Sequence, residues 1–106
     1  MSYEIIIYRT EDGKEPFNIW LGDLDSKDQV RVLQRLDRIR SGNLGDHKSV
    51  GSSVYELRFT YGGGYRVYYG IKNNKIVILL CGGNKKTQSK DIESAKQLWS
   101  DYNENL

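Results

Sequence analysis

Val54–Cys81 reads VYELRFTYGGGYRVYYGIKNNKIVILLC, three β-branched and aromatic runs divided by a triple glycine and by an Asn-Asn pair. In the first run Tyr55, Leu57 and Phe59 alternate with Glu56, Arg58 and Thr60, the period-two pattern of a strand with one buried face. Gly62, Gly63 and Gly64 then make a hairpin turn. The chain returns through Tyr65–Ile71, where Val67, Tyr69 and Ile71 oppose Arg66 and Tyr68. Asn73 and Asn74 form a second tight turn before Lys75–Cys81. These runs predict a three-stranded antiparallel meander whose apolar face packs on helices and whose other face, carrying Glu56, Arg58, Arg66 and Tyr68, is open.

Outward from this core, Tyr3–Arg9 predicts a first strand. Pro16 suits the first turn of a helix in which Phe17, Trp20, Leu21 and Leu24 recur at helical spacing. Ser26 is a candidate N-cap for a second helix, with Val30, Leu33 and Leu36 as its apolar stripe and Gly42 as its stop. The Gly-, Ser- and Asp-rich segment 45–53 is expected to be a loop. A terminal amphipathic helix is expected over roughly residues 91–102, carrying Ile92, Ala95, Leu98, Trp99 and Tyr102. The fold class is therefore α+β: an N-terminal strand, a two-helix hairpin, the meander completing one sheet, and a C-terminal helix. At 106 residues the whole chain, 1–106, is expected to be one domain.

Charge is segregated along the chain. Between Asn43 and Lys90, eight Lys and Arg face only Asp46 and Glu56, an excess of six positives, whereas residues 1–42 come to −1 and 91–106 to −3. A basic sheet in a nearly neutral protein is the footprint of something that grips a polyanion such as RNA or DNA. The longest apolar run, Ile76–Cys81, is too short to span a bilayer, and Ile5, Ile6 and Ile7 lack the basic leader of a secretory signal. A cytoplasmic protein without membrane contact is expected. The single cysteine, Cys81, reads as a small apolar filler, and one His with one Cys cannot furnish a zinc site, so neither metal nor cofactor is expected.

Arg58 and Arg66 fall on adjacent strands across the turn, where like charges repel unless an anion bridges them. A phosphate fits that role, gripped by paired guanidinium N–H donors, with Lys85 and Lys86 on the following loop completing the clamp. Glu56, the lone carboxylate between Asp46 and Asp91, is a candidate general base or else an ion-pair partner of the arginines. His47, the sole histidine, can titrate near neutrality as an acid or base. Lys48 beside it can contact phosphate. Tyr61, Tyr65 and especially Tyr68, on the side of Arg66, can stack on splayed bases, although tyrosine is also a favoured packing residue in strands.

With Gly42-Asn43-Leu44-Gly45-Asp46, Glu56-Leu57-Arg58, Tyr61-Gly62-Gly63-Gly64-Tyr65-Arg66-Val67-Tyr68 and Gly82-Gly83-Asn84-Lys85 in this element order, the chain resembles the RelE/ParE toxin superfamily along essentially its whole length. The likeness is strongest to the HigB-like addiction module killer branch. It implies the toxin of a type II toxin–antitoxin system, held by a cognate antitoxin protein. RelE-like and HigB-like members cut mRNA on the ribosome by a metal-independent endoribonuclease reaction, inhibiting translation and arresting growth. ParE-like members instead inhibit DNA gyrase. By this resemblance the family's motif arginines fall on Arg66 and Arg58 and its basic loop on Lys85 and Lys86; with the residue readings above, Arg66, Arg58, Lys85, Glu56 and His47 are the catalytic candidates, and Lys48, Lys86 and Tyr68 the RNA-binding ones. The chain departs from the RelE pattern in carrying Val54 and Glu56 where that pattern has lysines, and Ile92 in place of a terminal tyrosine, so the general base is either Glu56 or His47, or the activity differs.

Overall fold

The computed structural model describes residues 2–60 and 63–106. Tyr61 and Gly62, expected to end one strand and open the glycine turn, lie outside the described residues. The chain runs through strand β1 (Glu4–Ile7), helices α1 (Pro16–Gly22) and α2 (Ser26–Arg40), and strands β2 (His47–Gly51), β3 (Val54–Arg58), β4 (Arg66–Lys72) and β5 (Ile76–Gly83). A 3-10 turn at Lys85–Thr87 then leads into helix α3 (Gln88–Glu104). The fold is α+β, with the five strands in one mixed sheet ordered β1-β5-β4-β3-β2. The expected meander is present as β3, β4 and β5, but it is not the whole antiparallel part of the sheet.

Two features correct the sequence reading. Segment 45–53 is not all loop: His47–Gly51 pairs antiparallel with β3, so four strands form the antiparallel ribbon and β1 joins β5 in parallel. The turn between β2 and β3 places Ser52 and Ser53 at φ of 55° and 62°, a left-handed pair normally signalled by Asn or Gly. Asn73 and Asn74 adopt the same conformation between β4 and β5, there with the residues that favour it.

The second correction concerns the sheet's faces. Helices α1 and α2 cover one, where Phe17, Val32, Leu36 and Ile39 bury Leu57, Val67, Tyr69, Val77 and Leu79. Helix α3 covers the other, where Ala95 and Trp99 pack on Val54, Tyr68, Ile78 and Leu80. The face expected to be open is therefore roofed. Each fully buried Val or Leu contributes about 1.5–3 kcal/mol of transfer free energy, so both layers stabilise the sheet. On α2 only Leu36 of the expected stripe is buried, beside Val32 and Ile39, while Val30 and Leu33 are exposed. The helix is capped by Asp25, whose carboxylate accepts from the Asp28 amide at 2.9 Å, with Ser26 its first residue.

A bulge between β4 and β5 positions the site. Tyr68 opposes Cys81 and Tyr69 opposes Leu79, leaving Leu80 as the extra residue. Leu80 and Cys81 both turn toward α3, and the alternation beyond them is reversed. Gly82 consequently lies under the Trp20 indole of α1, and Gly83 under the Asp91 carboxylate of α3; a Cβ at either glycine would run into those groups. Close approach of helix to strand is what requires glycine here.

Candidate functional site

Cross-strand register gathers the site. Glu56 pairs with Tyr68, Arg58 with Arg66, Arg66 with Gly83 and Lys48 with Glu56, so these side chains share the face under α3. Glu56 and Tyr68 are fully buried. The Arg66 side chain is 10% exposed and that of Arg58 42%. The cluster therefore opens to solvent at the Arg58 end, where the strands emerge past the start of α3.

The anion between the two arginines is Glu56 itself. Its Oε1 lies 3.6 Å from Arg66 Nε and 3.9 Å from Arg58 Nε, and its Oε2 accepts from Gln88 Nε2 at 2.9 Å. Arg66 also donates from Nη1 to the Gly64 carbonyl at 2.7 Å. Glu56 Oε1, Arg66 Nε and Tyr68 Oη are buried together, and Glu56 is the acceptor within reach of the phenol. Burial raises the Tyr68 phenol pKa above its ordinary value and the nearby Glu56 charge raises it further, so Tyr68 is a neutral hydroxyl at any physiological pH.

The cationic rim continues from Arg66 through the glycine turn. A Cβ on Gly64 would stand 3.1 Å from Arg66 Nη1 and 3.5 Å from Lys85 Cβ, so the arginine's tip and the root of the lysine side chain both border this glycine. The Lys85 amide donates to the Gly63 carbonyl at 3.3 Å. Asn84 fixes the loop, its side-chain oxygen accepting from the Lys86 and Thr87 amides at 2.9 and 3.2 Å. Thr87 in turn donates to Asp91, the carboxylate seated on Gly83. Lys85 and Lys86 are exposed.

Other candidates are placed differently. His47 pairs with Leu57, which puts it on the α1/α2 side of the sheet, exposed, with Nδ1 2.9 Å from the Gly45 carbonyl. It is not brought to Glu56. Lys48 stands beside Glu56 on the edge strand and is exposed. Tyr68 has no accessible ring face to offer a base. Tyr65 donates to Asp28 at 2.8 Å and its ring meets Trp20 edge-on. Cys81 is buried and its thiol is pushed up to about 12, by burial first and by Asp91 second, so it is not a nucleophile near neutrality. Among the described residues no three His, Cys, Asp or Glu side chains gather as metal ligands, and no helix is long and apolar enough to cross a membrane.

Sequence reasoning passed over five contributors. Gln88 holds Glu56 from α3, and Asp91 buttresses the loop; neither carries a local signal, because each acts from a different element. Arg35 pins the end of β3, donating from Nη1 to the Arg58 carbonyl at 2.9 Å and from Nη2 to the Asp46 carbonyl at 2.8 Å. Arg38 follows Arg35 by three positions, and with Arg31 the three fall on one side of α2, a pattern readable from helical spacing alone.

Comparison with known proteins gives two matches. Residues 19–100 match the model of the family described as phage derived protein Gp49-like (DUF891). A Haemophilus influenzae protein described as uncharacterized is 47% identical over 83 residues, which cover 77% of this chain and 84% of the relative.

Proposed function

Because the chain belongs to the Gp49-like phage-derived family, within the RelE/HigB-type group of toxin–antitoxin toxins, we propose that it is a toxin that cleaves mRNA on the ribosome. We place it nearest the HigB-like branch, neutralised by a cognate antitoxin and acting in the cytoplasm. The observation that carries this reading is the paired Arg58 and Arg66 at the open end of the cluster, with Arg66 and Lys85 both bordering Gly64.

On this reading Arg58, Lys85 and Lys86 take the non-bridging oxygens of the scissile phosphate, and Arg66 adds its charge from just beneath the surface. The ribose 2′-oxygen attacks the adjacent phosphorus, the P–O5′ bond breaks, and the products are a 2′,3′-cyclic phosphate and a 5′-hydroxyl. Solvent water takes the 2′-hydroxyl proton as the nucleophile forms and supplies the proton that O5′ gains on departure. Negative charge that grows on the phosphorane is met by cations already held in place, the kind of fixed stabilisation worth about 10²–10³ in rate per donor. Glu56 acts here as a positioning residue: it is buried between the two guanidiniums, which it orients as their counterion. Metal is not required by these steps.

One observation favours a second reading. Glu56 and Tyr68 are enclosed and His47 lies across the sheet, so none of these three candidate proton-transfer side chains reaches the exposed rim. A ParE-like inhibitor of DNA gyrase that acts by surface complementarity needs none. Brief expression in bacteria followed by primer extension separates the two. New breaks within translated messages are the expected result; DNA damage with intact messages overturns it in favour of the gyrase reading.

A further inference from the structure

Arg58 belongs to two surfaces at once. Besides the cluster under α3, Arg58 lines a groove of about 230 Å³ together with Arg31, Arg35 and Arg38 of α2, Asp46 and Phe59, and its carbonyl accepts from Arg35 there. Four arginines and one aspartate line it, and Arg31 also pairs with Asp28, Nη1 to Oδ1 at 3.8 Å. Arg35 is locked to the Arg58 and Asp46 carbonyls and lies over the Phe59 ring, 4.9 Å from its centroid, so the groove floor is rigid. Arg38 is exposed and the Arg31 side chain is 40% exposed. Arg31 to Arg38 covers about 10 Å of helix at 1.5 Å per residue, room for more than one backbone phosphate.

We propose that this groove is a second phosphate-binding site, which holds the RNA backbone next to the linkage gripped by Arg58, Arg66 and Lys85. This rests on the ribonuclease reading and deepens it. All four cations are arginines, the side chain whose planar fork matches phosphate oxygens and whose face also stacks on bases. Continuity through Arg58, which belongs to both groups of residues, is what favours a nucleic-acid strand over an acidic peptide. Affinity should then grow with the length of RNA bound.

The test uses the purified full chain with 2′-O-methyl RNA, which cannot be cleaved, as a trinucleotide and an octanucleotide over a range of salt. Arg31→Gln with Arg38→Gln should weaken octanucleotide binding about tenfold, lower its log–log salt slope by about 1.4, and leave the trinucleotide unchanged, as expected when two single-strand phosphate contacts are lost. Arg38→Gln alone, at an exposed position, should give about half that change in slope. If both variants bind the octanucleotide like wild type while Arg58→Gln weakens both RNAs, the groove proposal is overturned and the ribonuclease reading stands. If Arg58→Gln changes neither RNA, the phosphate clamp itself is wrong and the groove falls with it. Equal displacement of the octanucleotide by a polyglutamate peptide of matched charge would reassign the groove to an acidic protein segment.

Discussion

Glu56 has no exposed surface, yet its Oε1 sits 3.6 Å from Arg66 Nε and 3.9 Å from Arg58 Nε. Two like charges forced side by side by strand register are thus held by an internal carboxylate, and what reaches the rim is the surplus. Glu56→Gln keeps the shape and removes that charge. It should destabilise the protein by about 3 kcal/mol in urea unfolding, because a mostly buried guanidinium loses its counterion; unchanged stability would show that Arg66 is not paired with Glu56 in solution. A second prediction concerns alkali. The folded pKa of Cys81 is raised from 9.0 to about 12, so its protonated form favours folding. That contribution is whole below pH 9 and is lost as pH rises from 9 toward 12, and the raised Tyr68 pKa acts in the same direction above pH 10. Urea unfolding across this range should show falling stability, with a shallower fall in Cys81→Ala. A thiol titrating normally would give equal slopes.

At the scale of elements, the strands that hold the arginines were legible because their chemistry is local. Alternation in 54–60 gave the burial of Leu57 and Phe59, and Asn73-Asn74 carried the turn that its φ values require. Strand β2 was hidden because Ser52 and Ser53, not Asn or Gly, take the left-handed turn, and because its one partner strand supplies the pairing. Helix α2 was recognised with only Leu36 of its stripe correct: Val30 and Leu33 have helical spacing too, and only the sheet decides which side is covered. The loop that presents Lys85 and Lys86 depends on Asn84, so Asn84→Ala should cost about 1 kcal/mol, the usual loss of a cap, and weaken RNA binding in a filter assay. Full binding with that stability loss would mean the lysines do not need a fixed loop. Gly70 lies against the Trp99 ring, where a Cβ has no room. Gly70→Val should therefore overpack the α3 layer and cost about 1–3 kcal/mol or more by thermal unfolding.

Taken whole, the molecule is three layers, helices on both faces of one sheet, and that arrangement decides which cations count. The open face expected from alternation alone is instead roofed by Ala95 and Trp99. One signal for it was present: Ile76–Cys81 is continuously apolar rather than alternating, the pattern of a strand buried on both sides. The charge excess between residues 43 and 90 was equally readable, but its division into a buried pair and an accessible rim needed the position of α3. The account stands on that rim. Its most direct test is the rate at which the purified protein cuts mRNA on translating ribosomes, compared among wild type, Arg58→Ala and Lys85→Ala at equal folded concentration. Each substitution is predicted to slow cleavage by about 10²–10³; a rate unchanged in both would contradict the clamp.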